Sequence, residues 1–322
     1  MNKPFARPFN RYSFWLGLPL LMLAGGPLIE SPFALIDRLG HFPLQVAVAA
    51  LGLALIAVFR RNKPGAGWSL AVTLSAAILN GAWLLPYMPI AAEQAINQGN
   101  TMKIVQLNVL RVNKNTAAVT KWVRAQDPDV LVVQEIDSGW RTALGTLDDL
   151  FEHRVIVERR DDYGIAVYSK HRVLSRRTAV LPFINVPALF LVLDFQGNSV
   201  RLAAMHAPPP VADVHIAARR GALDNIESWL DLDSESPAIV AADLNITPYT
   251  AVWRRFLDAT GLVDPRRGRG IMSTWPAVVP DPFRIPIDHI LHNRIFRTVS
   301  LDTGPRLGSD HLALVAVVEL HK

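Results

Sequence analysis

Hydrophobic positions along the chain change character once, near Met102. Before it, residues 12–29, 42–59 and 64–92 run without a charged side chain. A helix that crosses the hydrocarbon core needs about 20 apolar residues, within a range of about 17–25. Each stretch meets that length and predicts a transmembrane helix, at about 12–29, 42–59 and 68–90. Aromatic residues stand near the ends of each, Tyr12 and Trp15, Phe42 and Phe59, then Trp68, Trp83 and Tyr87, as interfacial anchors do. A cleaved leader or buried core helices are the bland alternatives. A leader, however, precedes polar mature sequence, and here another apolar run follows.

After Met102 the pattern becomes strand alternating with helix. Short apolar runs rich in Val and Ile predict strands over 103–110, 130–135, 164–168, 188–195, 200–206, 238–243, 286–292 and 311–320. Helices are expected over 116–124 and 213–230, the second placing Ile216, Leu223, Ile226 and Trp229 or Leu230 on one face. Thr247 followed by Pro248 reads as an N-cap and first helical residue. The organisation expected is a membrane segment over 1–93, a linker over 94–101 and an α/β domain over 102–322. No internal repeat or low-complexity tract interrupts it.

Charge sharpens the division. The formal net charge is +5, but seven cations and three anions precede Met102, leaving 26 cations against 25 anions beyond it. The basic balance therefore belongs to the membrane flanks and is weak evidence for a nucleic-acid partner. Lys3, Arg7 and Arg11 precede the first span, and Arg60, Arg61 and Lys63 separate the second from the third. The intervening loop holds only Arg38, offset by Glu30 and Asp37. The positive-inside rule then places the α/β domain outside the cytoplasmic membrane, the periplasmic side of the inner membrane in a Gram-negative cell. No charge lies inside a span, so no ion pathway is suggested. The absence of cysteine excludes disulfides, thiolate metal sites and a Cys nucleophile.

Polar residues recur at the ends of the predicted strands. Asn108 ends one run, Glu135 follows Leu131-Val132-Val133-Gln134, and His206 precedes Pro208-Pro209-Pro210. Asp243 and Asn245 close the run from Ala238, Asp288-His289 interrupts Ile287 and Ile290, and Ser309-Asp310-His311 opens the last strand. This order of Asn, Glu, His-x-x-Pro, Asp-x-Asn, Ile-Asp-His and Ser-Asp-His resembles the endonuclease/exonuclease/phosphatase superfamily across essentially all of 102–322. The resemblance implies a four-layer α/β/β/α sandwich of two mixed sheets and a phosphoesterase using Mg²⁺ or Mn²⁺. It implies Glu135 as principal metal ligand with Asn108 and Asp310 nearby, and His206, Asp243, Asn245, Asp288 and His311 as catalytic residues. A strand-end salt bridge is the alternative for Glu135, although a carboxylate after four apolar residues is costly without a partner.

His311 paired with Asp288 acts either as general base or as a cation on the phosphoryl oxygens, and Asp243 is the rival base. His289 is directed away from the site by strand alternation. His153, His171, His215, His292 and His321 have no motif partner and read as surface or capping residues. Two departures from the family pattern stand out: Ala242 replaces a common Gly, and residues 163–170 supply no carboxylate to partner His206. Arg266, Arg267 and Arg269 form a basic loop that reads either as solvated or as a clamp on substrate phosphates. The expected partners are a phosphate-ester substrate, nucleic acid or lipid headgroup, and the bilayer, with no obligate protein partner. A catalytically inactive, membrane-tethered binding module of the same fold is the alternative.

Overall fold

The computed structural model describes residues 11–63, 65–90 and 100–321. The chain divides into two compact units. The N-terminal one holds helices α1 (Arg11–Leu23), α2 (Ala34–Asp37), α3 (Pro43–Phe59) and α4 (Ala66–Ala82). The larger one holds β1 (Thr101–Asn108), α5 (Thr116–Gln126), β2 (Val130–Gln134), α6 (Ser138–Leu144), β3 (His153–Val157), β4 (Ile165–Ser169), β5 (Val173–Val180), β6 (Pro187–Phe195) and β7 (Asn198–His206). It continues with α7 (Asp213–Asp231), β8 (Ala238–Asp243), α8 (Ala251–Thr260), β9 (Asp288–His292), β10 (Phe296–Thr303) and β11 (Leu314–Leu320).

The helical unit is packed through small side chains. Ala50, Ala54, Ala57, Ala76 and Ala77 are buried, while Leu55, Phe59, Trp68 and Ile78 are exposed. A Cβ on Gly17 would lie 2.8 Å from Thr73 Cγ2, so α1 and α4 approach closely there. Asn80 donates to the carbonyls of Leu20 (3.1 Å) and Ala76 (2.8 Å), and Trp83 Nε1 donates to Ala24 O at 3.0 Å. The helices are shorter than the spans expected from composition. Among the described residues no single helix is long and apolar enough to cross a membrane. Ala34–Gly40 and Pro43–Phe59 meet the criterion only as a pair, bent by 66°. Gly and Pro residues break the first and third apolar stretches, Gly25, Gly26 and Pro27 after α1 and Pro86 after α4, so those two helices end before their stretches do. α3, by contrast, fills its stretch but is only 17 residues long.

The larger unit is built on two mixed sheets, ordered β10-β11-β1-β2-β4-β3 and β5-β6-β7-β8-β9. β1/β2 and β7/β8 pair parallel, and the other neighbours pair antiparallel. Strand alternation sorts the side chains into layers. Ile104, Val132, Leu202, Ile239 and Ile290 meet between the sheets. Val105, Leu107, Leu131 and Val133 lie under α5 and α6, and Ala203, Met205, Val240 and Leu291 under α7 and α8. The four-layer α/β/β/α arrangement follows.

Three strands escaped the sequence pattern, β3, β5 and β10, and all three are sheet edges. Edge strands carry charge and exposure that weaken the apolar signal: β5 reads Leu174-Ser175-Arg176-Arg177-Thr178 with every one of these exposed, and β10 is broken by a bulge between Thr298 and Ser300. The last strand starts at Leu314, not His311, because Ser309–Ala313 form an irregular entry. Thr247 and Pro248 do not start a helix; α8 begins at Ala251. The expected linker falls largely outside the described residues, and Thr101 at its end already belongs to β1.

Candidate active site

The inward-facing row of each central strand is apolar through the core and turns polar at one end. Ile104 is followed by Gln106 and Asn108, Val132 by Gln134, Leu202 and Ala204 by His206, Ile239 and Ala241 by Asp243, and Ile290 is preceded by Asp288. Asp243 and Asp288 are direct register partners, as are His206 and Asp243. Two strands from one sheet and three from the other thus bring their polar ends to one edge of the inter-sheet layer.

Asn108 ties the two sheets together there. Its Nδ2 donates to Glu135 Oε1 at 2.9 Å and to Asp243 Oδ2 at 3.2 Å, and its Oδ1 accepts from the Leu110 N–H at 3.0 Å. Glu135 Oε2 accepts from the Arg111 N–H at 3.0 Å. Glu135 lies just past β2 with φ +65°, a left-handed conformation uncommon for a side chain. Its N–H is held by Gly164 O at 2.8 Å. Only glycine fits at 164, since a Cβ would sit 1.8 Å from the Ile136 carbonyl oxygen.

Opposite, His311 Nδ1 donates to Asp288 Oδ2 at 2.8 Å, and its Nε2 lies 3.8 Å from Asp243 Oδ2. Gln106 Nε2 donates to both Asp288 Oδ1 (2.8 Å) and Gln134 Oε1 (2.9 Å). A carboxylate only accepts, so Asp288 fixes which way the Gln106 amide points. Ser309 Oγ donates to Asn108 O at 2.7 Å and accepts from the His311 N–H at 3.0 Å, setting the His311 backbone against β1.

Burial governs the protonation states. Asp243 is pushed up to about 7 by burial and by the neighbouring charge of Asp288, with His311 and the Asn108 hydrogen bond opposing. Burial would raise Asp288 too, but the charge of His311 and hydrogen bonds from His311 and Gln106 hold it below the ordinary carboxylate value. Burial works against a charged His311, yet Asp288 and Asp243 together push it up to about 10. His311 is therefore an imidazolium at neutral pH. His206 is held low by burial and by the charge of His311. Its Nδ1–H donates to the backbone carbonyl of Asp162 at 3.0 Å, turning Nε2 toward Asp243 Oδ2 at 3.4 Å. A backbone oxygen thus occupies the place of the carboxylate that residues 163–170 do not supply.

Two sets of donor groups come into question for a cation. Asp243, Asp288 and His311 offer ligand atoms within 4.8 Å of one another. Of these, His311 Nδ1 is already committed to Asp288. The other set is Glu135, Asn108 and Asp310. Glu135 is held only by neutral N–H donors. Asp310 Oδ2 accepts from Trp275 Nε1 at 3.1 Å while its Oδ1 is buried without a hydrogen-bond partner. An orphaned buried carboxylate oxygen suits a hard divalent cation such as Mg²⁺. Asn108, whose Nδ2 faces Glu135 and whose Oδ1 accepts from Leu110, would have to turn its amide to join it.

The family model for the endonuclease/exonuclease/phosphatase family matches residues 105–311. The chain belongs to this family. It is accordingly a metal-dependent hydrolase of phosphate esters. No curated protein matches the chain significantly. Among solved structures, an endonuclease/exonuclease/phosphatase protein from Bacteroides vulgatus superposes with a TM-score of 0.58 at 18% identity, covering 69% of this chain and 99% of its own. The human Nocturnin catalytic domain, solved with bound sulfate, gives 0.57 at 17%, covering 69% and 95%. D. rerio TDP2, solved with a single-strand DNA product, gives 0.58 at 15%, covering 68% and 99%.

All eight residues expected from the motifs, Asn108, Glu135, His206, Asp243, Asn245, Asp288, Asp310 and His311, lie at this end of the sandwich. Asn245, at φ +51°, donates its N–H to Asp243 Oδ1 (3.1 Å) and its Nδ2 to Ala207 O (2.9 Å). It orients Asp243 and the chain after His206. His289 faces the other way, donating Nε2–H to Ile246 O at 2.7 Å and accepting from Arg266 at 2.9 Å.

The phosphate-clamp reading fails for Arg266. Its guanidinium is buried against Asp264, His289 and the Asp288 carbonyl, where it braces β9. Arg269 likewise donates to Thr298 O. His292 is neither a surface nor a capping residue; it is buried and bonded to Thr298 Oγ1 at 2.7 Å. Gln106 and Gln134 were missed. Their signal was polarity at inward-facing strand positions, two residues before Asn108 and one before Glu135. A polar cleft of about 520 Å³ opens beside Glu135, lined by Arg111, Asp137, Ser138, Glu158, Arg159 and Arg160.

Proposed function

We propose that the chain is a membrane-anchored phosphodiesterase whose sandwich acts outside the cytoplasmic membrane. The observation that carries the chemistry is the Asn108 amide bridging Glu135 to Asp243, with the His311–Asp288 pair facing them. In this reading Glu135, Asn108 and Asp310 hold Mg²⁺ or Mn²⁺. When bound, the ion withdraws charge from the phosphoryl oxygens and stabilises the departing oxygen. Asp243, poised near neutrality, takes the proton of the attacking water. Nε2 of His206 faces Asp243 Oδ2 at 3.4 Å, and with the His206 pKa held low the proton stays on Asp243. His311, already charged, donates to a phosphoryl oxygen and so separates from the rival role of base. Asp288 holds its ring, and Asn245 holds Asp243.

Three features support the anchor. The stretches at 12–29, 42–59 and 64–92 are charge-free. The short loops carry their cations on alternate sides. Small residues pack inside the helical unit while large apolar ones face outward, the reverse of a soluble core and the pattern of helices that pack in lipid. The substrate is a phosphate ester presented near the bilayer, as nucleic acid or as a lipid headgroup. The D. rerio protein of the same fold was solved with a single-strand DNA product, and a bilayer anchor suits a lipid-borne ester equally. An inactive binding module is disfavoured because Glu135, Asp243, Asp310 and the bonded His311–Asp288 pair are all present.

The test is hydrolysis of a chromogenic phosphodiester by the full chain in detergent, with and without Mg²⁺. Glu135→Gln and His311→Ala should each lower turnover by about 100-fold or more. Metal-independent turnover, or an active Glu135→Gln, would exclude this assignment.

A further inference from the structure

The sandwich exposes large apolar side chains almost entirely at its catalytic end. Among the described residues from Thr101 onward, nine large hydrophobics are exposed, and strand direction places seven of them on loops or element ends beside the site. Phe183 (72%) lies in the β5–β6 turn, beside the first half of α7, and that turn ends at Pro187, one residue before Ala188 pairs with Met205. Val211 (61%) follows the Pro208–Pro210 run after His206. Val278 (70%) and Phe283 (59%) sit in the loop whose Ala277 N–H donates to Asp310 O. Only Leu174 and Leu232 lie at the far end, where β5 starts and α7 finishes. A solvated domain has no reason to sort its exposed apolar residues this way; clustered apolar exposure rimmed by polar groups marks a surface that meets a protein or a membrane.

We infer that this rim docks on the surface of the bilayer, so that the substrate is a phosphate ester carried by a membrane lipid. The inference rests on the anchored reading given above. The chain itself argues for the occupant. The helical segment ends at Pro86 and the larger unit already begins at Tyr87. The Tyr87 hydroxyl donates to Pro248 O at 3.0 Å and the Ile90 N–H donates to Gly268 O at 2.8 Å, so almost no free chain joins the two. A domain tethered so closely to lipid meets a bilayer far more often than any dissolved partner. Phe and Val standing around a polar centre suit the boundary between headgroups and acyl chains, where apolar side chains enter and the polar site remains level with the phosphates.

The chain has no cysteine, so single-cysteine variants report position without background. Phe183→Cys, Phe283→Cys, Leu232→Cys and Ile78→Cys would be labelled with an environment-sensitive fluorophore in the full chain, reconstituted into phosphatidylcholine/phosphatidylglycerol vesicles with spin-labelled lipid as quencher. Quenching at 78, 183 and 283 but not at 232 is the expected result. Quenching at 78 with 183 and 283 as unquenched as 232 would overturn the docking while leaving the anchor intact. No quenching at 78 would remove the anchor and the inference with it.

A second arm reads the substrate. In Phe183→Ser/Phe283→Ser, hydrolysis of vesicle phospholipid should fall about tenfold or more, with a soluble chromogenic diester cut within about twofold of the parent rate. If the double variant loses cleavage of single-stranded DNA and not of vesicle lipid, the rim serves nucleobases and the proposal fails.

Discussion

Asp288 is the residue on which the charge of the site turns. Its Oδ1 is held by Gln106 and its Oδ2 by His311, so it is anchored at both oxygens and stays ionised despite burial. Asp288→Asn keeps the shape and removes the charge. The His311 pKa, pushed up to about 10 in the parent, should then fall toward the ordinary value of about 6.5. Histidine NMR titration of the metal-free protein measures this directly. Hydrolysis at pH 8 should drop by about 100-fold or more, as His311 loses the proton with which it stabilises the phosphoryl oxygens. A His311 that still titrates near 10 would mean that Asp243, not Asp288, sustains its charge. The motif residues were legible because each is a polar side chain ending an apolar run. Arg266 was misread because its sequence neighbours, Arg267, Gly268 and Arg269, resemble a solvated basic loop. Its buried partners are contributed by residues 264 and 288–289.

At the scale of elements, the turn between β3 and β4 matters more to the site than its composition suggests. Gly164 accepts the N–H of Glu135 through its carbonyl and packs against the Ile136 carbonyl with no room for a side chain. Gly164→Ala should therefore cost about 2 kcal/mol or more through steric overlap, and should lose metal-dependent turnover although Glu135 itself is untouched. Gly145→Ala is the control: nothing lies within 4 Å of a Cβ there, and its effect should stay within about 0.5 kcal/mol. Thermal melts of both variants, read beside Mg²⁺-dependent activity, check this. Equal melting temperatures in the two would refute the packing argument. The edge strands β3, β5 and β10 had no clear apolar signature because one side of each has no neighbour to bury it.

For the whole molecule, buried histidines set the response to acid. His289 is held well below its ordinary value by burial and by the charge of Arg266, and His292 is held below it by burial. In the unfolded chain both take up protons as the pH falls below about 6.5, whereas the folded chain resists. Each should then remove stability at about 1.4 kcal/mol per pH unit. His311 has the opposite sign. Its stabilising contribution is complete below about 6.5 and is lost as the pH rises through about 10. The melting temperature of the full chain should fall from pH 6.5 toward pH 5, and His292→Gln should flatten that fall. An unchanged slope would show that His292 does not bind the linked proton.

By itself the sequence determined the two-part organisation, the family and the residues facing the site, because charge-free length and strand alternation are local properties. Only the tertiary structure decided what those residues do to one another. Gln106 meets Asp288 across the layer between two sheets, and that meeting depends on how the sheets stack, which no local pattern encodes. His206 is held by the Asp162 carbonyl, a group every residue possesses, and so nothing in the side-chain sequence could announce it.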